Sequence, residues 1–111
     1  MRHREHDEHH RRRRLQLNEK LFEALNHRLE ERIQELREAG LIPEDPDAPI
    51  RYMCECSRED CRERFAMEPE EYARLHSEPA DCVVLQGHEM LDIEVVVDEI
   101  GDLLVVRKRP V

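Results

Sequence analysis

The chain has no tryptophan and no threonine, and only two tyrosines and two phenylalanines among its 111 residues. So small an aromatic supply limits the core, because aromatic side chains carry the largest buried areas. A single domain of this size is marginal without an added staple. Hydroxyl nucleophiles are scarce as well. Ser57 and Ser77 are the only serines, and neither stands in a Gly-x-Ser-x-Gly setting. Gly40, Gly87 and Gly101 are isolated, so no glycine-rich loop could cradle phosphate. No run approaches the roughly 18 apolar residues of a membrane-spanning helix. The first residues lack the apolar stretch of a secretory signal. The expectation is a cytoplasmic protein that is not an enzyme, with no membrane partner and no recognisable small-molecule substrate.

Charge is what the chain has in quantity. Charged residues make up 41% and the formal net charge is −9. The sign is unevenly spread. Residues 1–14 hold six Arg against three acids, a balance of +3, which leaves −12 for the other 97 residues. The same stretch holds His3, His6, His9 and His10. Its only apolar residue is Met1, so it has nothing to bury, and it reads as disordered. The domain boundary then falls at 17/18, with a basic arm over 1–17 and one folded domain over 18–111. Arg11 to Arg14 could meet phosphates, which leaves a nucleic-acid-associated protein as an alternative, but an acidic body repels a nucleic-acid backbone, so a nucleic-acid partner is disfavoured.

The first periodic segment predicts a helix from about Asn18 to Ala39. Asn18 suits the N-cap and Glu19 the first turn. Phe22, Leu25, Leu29, Ile33 and Leu36 recur at steps of three or four as one apolar stripe. Gly40 fits the left-handed position beyond the end, with Leu41 folding back on Leu36, and Pro43 blocks continuation. Arg32 breaks the heptad, which argues against a sustained coiled coil. A core-packing helix, or one that pairs with a partner or a second copy through residues 18–39, fits better.

Proline marks residues 43–49 as an extended linker. Ile50 to Cys54 reads as a short strand. Glu68 to Ser77 reads as a helix with Pro69 in its first turn and Tyr72 and Leu75 on its inner side. Cys82 to Leu85 reads as an apolar strand. Leu91, Ile93, Val95 and Val97 alternate with outward positions, the period of a half-buried strand. Glu99 to Asp102 supplies a turn, and residues 103–108 return as the partner strand. The Arg107-Lys108-Arg109 cluster would blunt an exposed edge. The fold class is α+β, with a long N-terminal helix and a short helix on a small antiparallel sheet, stapled by a zinc site.

The staple is read from the cysteines. Cys54, Cys56 and Cys61 form a C-x-C-x4-C run. In an extended chain Cys54 and Cys56 point to one face, and the polar residues between can turn Cys61 back to meet them. Arg58, Arg62 and Arg64 can offset thiolate charge. Without an export signal such cysteines read as thiols or metal ligands rather than a disulfide framework. A structural zinc needs a fourth ligand. His88 is the first candidate, because Gly87 lets the chain turn sharply before it. Cys82 and His76 are the others. A closed Cys3His set of Cys54, Cys56, Cys61 and His88 describes a structural site. The alternatives are a zinc-thiolate redox sensor and inert thiols.

A resemblance adds to this. Asn26-His27-Arg28-Leu29-Glu30, Tyr52-Met53-Cys54-Glu55-Cys56 with Cys61, Glu71-Tyr72, Gly87-His88-Glu89 and Val105-Val106 together resemble a group of small bacterial proteins. In that group a CEC…C segment precedes an EY helix and a GHE strand end. The likeness spans roughly residues 18–108. The group has no assigned activity, so the resemblance implies a shared fold and metal site only. Two positions depart from the pattern. An aromatic is usual near Cys82, which favours His88 over Cys82 as ligand. Threonine usually opens the second helix, where Glu68 stands here.

Overall fold

The computed structural model describes residues 2–110, with side chains from Glu8 onward. A single helix, α1, runs over Arg2–Glu38. Strands β1 (Ile50–Met53) and β2 (Arg64–Met67) follow, then helix α2 (Pro69–Leu75). Strands β3 (Asp81–Leu85), β4 (Glu94–Ile100) and β5 (Leu103–Lys108) complete the chain. At about 1.5 Å per residue, α1 accounts for most of the molecule's 59 Å long axis. Among the described residues no helix is long and apolar enough to cross a membrane.

The helix begins much earlier than Asn18. Residues 2–17, expected as a disordered arm, continue α1. Lack of apolar residues argued for disorder, but a helix needs only local propensity and an anchor. The stretch is rich in good helix formers and has no glycine, proline or β-branched residue. Glu8 pairs with Arg11 at 3.1 Å and with Arg12 at 3.4 Å, one turn away. Arg11 reaches Asp92 at 2.6 Å, and Gln16 donates to the carbonyl of Arg109 at 2.7 Å. Asn18 therefore caps nothing. Its side-chain amide donates to the Ser57 carbonyl at 3.1 Å.

The other end follows the reading closely. The Leu41 N–H bonds the Leu36 carbonyl at 2.9 Å, the Gly40 N–H bonds that of Arg37 at 3.0 Å, and Gly40 has φ 74°. This is the Schellman ending. The Leu41 side chain, however, stays 71% exposed rather than folding onto Leu36.

The inner face of α1 differs from the apolar stripe. Phe22 is buried and Leu29 and Ile33 pack on the core, but Leu25 is 39% exposed. Glu19 and Asn26 are buried instead. Asn26 earns its place by completing a strand edge. It accepts the Met53 N–H at 2.7 Å and donates to the Met53 carbonyl at 2.9 Å.

Two antiparallel sheets carry the rest. β1 pairs with β2, Tyr52 opposite Phe65. β2 was not anticipated, since four residues are too short to stand out. The ladder continues one step, from the Cys54 N–H to the Glu63 carbonyl at 3.0 Å. The cysteine segment is thus the loop of a hairpin. The second sheet has the order β3-β5-β4. Its central strand is β5, so Arg107, Lys108 and Arg109 do not shield an edge. Arg107 pairs with Asp81 at 2.8 Å, and the Arg109 Nε donates to the Leu91 carbonyl at 3.1 Å.

β4 also departs from its expected alternation. Leu91 and Ile93 precede the strand, with Leu91 exposed and Ile93 buried. Opposite β5 the register slips between Val96 and Asp98. The bulge leaves Val97 41% exposed and breaks the period of two. Gly101, φ 57°, then opens a two-residue turn that favours glycine first.

β3 is buried on both faces, which explains its unbroken apolar run. Val83 and Val105 face a cluster of Ile50, Tyr52, Phe65, Met67, Tyr72 and Leu75. Cys82, Val84, Leu104 and Val106 face Cys54, Cys56 and Cys61. The aromatic core and the cysteine cluster lie on opposite sides of one sheet.

Candidate metal centre

Four side chains converge where the hairpin loop meets the turn after β3. The Sγ atoms of Cys54, Cys56 and Cys61 and a ring nitrogen of His88 all lie within 4.8 Å of one another. The three cysteines are buried and His88 is half-buried. His88 Nδ1 stands 3.6 Å from Cys54 Sγ and 3.6 Å from Cys61 Sγ. A tetrahedral zinc with ordinary Zn–S and Zn–N bonds separates its sulfur and nitrogen ligands by about 3.6 Å. The spacing is that of ligands around one ion. Cys54, Cys56, Cys61 and His88 are thus able to hold a metal.

Local structure explains the convergence. Beyond β1 successive amides bond to opposite sides, Cys54 N–H to the Glu63 carbonyl and Glu55 N–H to the Val83 carbonyl, both at 3.0 Å. Cys54 and Cys56 consequently share one face. A turn from the Arg58 carbonyl to the Cys61 N–H, 3.2 Å, brings the third thiol back. On the other side the His88 N–H bonds the Leu85 carbonyl at 2.9 Å, across Gly87 with φ 93°. Only a left-handed residue lets the imidazole swing back so soon after the strand.

Backbone amides support the sulfurs. The Leu85 N–H donates to Cys54 Sγ at 3.3 Å. Amides of Arg58 and Glu63 favour the thiolates of Cys56 and Cys61 in the same way. The thiols nevertheless do not ionise alike. A hydrogen bond from Cys56 lowers the Cys54 thiol below its usual range. That same bond, with burial, drives Cys56 upward, and burial raises Cys61. Three thiolates this close repel, so full ionisation calls for a cation among them. Arg58 reaches the Gly87 carbonyl at 3.4 Å and Arg62 the Cys61 carbonyl at 3.1 Å, bracing the loop. Arg64 instead bonds the Arg51 carbonyl and takes no part.

The two other ligand candidates are engaged elsewhere. Cys82 is buried, and burial raises its thiol, while Lys108 Nζ contacts its sulfur at 3.1 Å. His76 Nδ1–H donates to the Tyr72 carbonyl at 2.7 Å, and His76 Nε2 lies 2.6 Å from Glu55 Oε1. Both ring nitrogens face acceptors, which favours the doubly protonated imidazole. Burial opposes that charge, but the hydrogen bond and charge of Glu55 outweigh it, and the His76 pKa is raised.

Sequence reasoning missed what Glu55 does. No apolar setting in the sequence singles it out among the many carboxylates, yet it is fully buried. Its Oε1 accepts the Val83 N–H at 2.8 Å and pairs with His76, while Oε2 accepts from Asn26 at 3.2 Å and from the Tyr72 hydroxyl. The alternation that aligns Cys54 and Cys56 also turns Glu55 to the opposite face, and that was the available signal. What lies on that face was not visible.

A second buried acid pair also escaped notice. Glu19 on α1 and Glu94 on β4 are both buried. Burial, and then the neighbouring Glu94 carboxyl, push the Glu19 carboxyl up to about 10. Neither Glu19 carboxyl oxygen has a hydrogen-bond partner among the described residues, while Glu94 accepts the Met90 N–H at 2.7 Å.

No protein-family model matches the chain, and no curated protein or solved structure matches it either.

Proposed function

We propose that this protein is a small zinc-binding interaction or regulatory module of the cytoplasm, with a structural rather than catalytic site. What carries the reading is the spacing of four ligand atoms within 4.8 Å, with 3.6 Å from sulfur to nitrogen. Three thiolates and one imidazole suit zinc over hard cations such as magnesium or calcium. Four protein ligands leave no open position for substrate, which favours structure over catalysis. The ion would tie the β1–β2 loop to the turn after β3 and add folding free energy that a core short of aromatics lacks. A protein partner, or a second copy, would meet α1, where Leu21 and Leu25 are 55% and 39% exposed.

Elemental analysis of the purified protein tests the metal. The expected result is one zinc per chain, with a chelator lowering the thermal midpoint. Metal-free protein that is fully folded and indifferent to zinc would overturn the reading.

A thiol redox sensor is the second reading, favoured by three buried cysteine sulfurs within 4.8 Å of one another. Zinc-containing anti-sigma factors are similar in setting Cys and His ligands beside a helix. Mild peroxide would then release zinc and reversibly form a disulfide. Unchanged thiol counts after peroxide would dismiss it.

A further inference from the structure

The geometry points to Glu55 as the positioning residue of the metal centre, through which metal binding clamps α1 and α2 onto the sheet. This rests on the metal reading above and adds to it a mechanism of control.

Glu55 stands between the ligands Cys54 and Cys56, so anything that fixes its side chain fixes both sulfurs. Its carboxylate is held from three directions. Asn26 approaches from α1 at 3.2 Å, Tyr72 from α2 and His76 from its C-cap, and the Val83 N–H from β3 at 2.8 Å. Asn26 also grips Met53, the residue before Cys54, through both backbone groups. The ligand segment is therefore held on one face by the four ligands and on the other by two helices.

The helices need that grip. α2 has seven residues, too few to persist without tertiary contacts. Its Tyr72 ring stacks on Tyr52 at 3.9 Å and lies 4.1 Å from His76, so the Glu55 cluster holds its buried side. Asn26 sits in the middle of the inner face of α1. A metal that freezes residues 54–56 holds the carboxylate where both helices can dock. By linkage, docked helices hold Cys54 and Cys56 where the metal binds best. Metal loss would loosen α2 and the central part of α1, and so expose core surface to a partner.

The test uses the full chain, stripped and then titrated with cobalt(II), with amide hydrogen exchange read before and after loading. In the wild type, metal should slow exchange over residues 22–33 and in α2. Glu55→Gln keeps the size but loses the charge and one acceptor. It should bind one cobalt with the same thiolate-imidazole absorption, about 10–100-fold more weakly, and metal should no longer protect α2. Tyr72→Phe removes a single donor and should give a smaller loss of both, so it carries the test if Glu55→Gln does not fold. A purely structural Glu55 would lower the stability of the metal-free form and leave cobalt affinity unchanged. Wild-type affinity, or undiminished metal-induced protection of α2, in the folded variant would overturn the inference. A wild-type chain that takes up no cobalt would instead overturn the metal reading, and this inference with it.

Discussion

His88 Nδ1 lies 3.6 Å from Cys54 Sγ, although the two residues are 34 positions apart in the chain. The contact spans the long loop containing β2, α2 and β3. A metal held between the two would cross-link that loop and so oppose the unfolded state, in which its ends rarely meet.

Ligand substitutions should separate the four cysteines. Cys54→Ser and His88→Ala are expected to lose zinc and to lower the thermal midpoint to that of the chelated protein. Cys82→Ser is expected to keep one zinc per chain, since Cys82 faces Lys108 rather than His88. At free zinc 100-fold above Kd, binding adds about 2.7 kcal/mol to stability. Metal content and melting temperature, measured side by side, check both expectations.

Asn26→Ala should cost far more than Leu25→Ala, against the hydrophobic ranking. Asn26 serves both backbone groups of the half-buried Met53, and its loss leaves an N–H and a carbonyl without that partner, at up to about 1–3 kcal/mol for an unpaired group. Leu25 is 39% exposed, and its truncation should fall within about 0.5 kcal/mol. Urea unfolding of the two variants decides the order. Equal costs would contradict the burial described for α1.

Stability should fall as pH rises through the neutral range, and Glu19 should be one cause. Its folded pKa of about 10 lies far above the ordinary carboxyl value of 4.5. A group raised in this way contributes fully below its unfolded pKa. That contribution is lost as pH climbs from about 4.5 towards 10, because the unfolded chain releases the proton that the folded one keeps. Glu19→Gln should flatten this slope, gaining on the wild type at pH 8 more than at pH 5.5. Denaturant unfolding at the two pH values measures it, and parallel slopes would remove Glu19 as the cause.

Deleting residues 2–10 should shorten α1 with little loss of stability. The deleted stretch includes the Glu8 pairs with Arg11 and Arg12, which are exposed or nearly so. Surface pairs of this kind contribute about 0–1 kcal/mol. Circular dichroism should show less helix while the melting temperature stays within a few degrees. A large drop in midpoint would contradict this expectation.

Local signals determined much of this protein from sequence. Gly40 and Pro43 set where α1 ends, and Pro69 sets where α2 begins. Alternation put Cys54 and Cys56 on one face, and Gly87 let His88 turn back, so the residues that converge in the cluster were legible. Each of these depends on a few neighbouring residues and their backbone geometry. Tertiary structure alone decided the rest. That Asn26 and Glu19 are buried while Leu25 is exposed depends on which backbone groups and which carboxylate happen to face α1. That Glu55 is the most connected side chain near the site depends on β3 and both helices meeting behind the ligand loop. That β5 is central rather than an edge depends on strand order. Periodicity finds an apolar face, but a buried polar residue is placed by its partners, and here those partners lie far away in sequence.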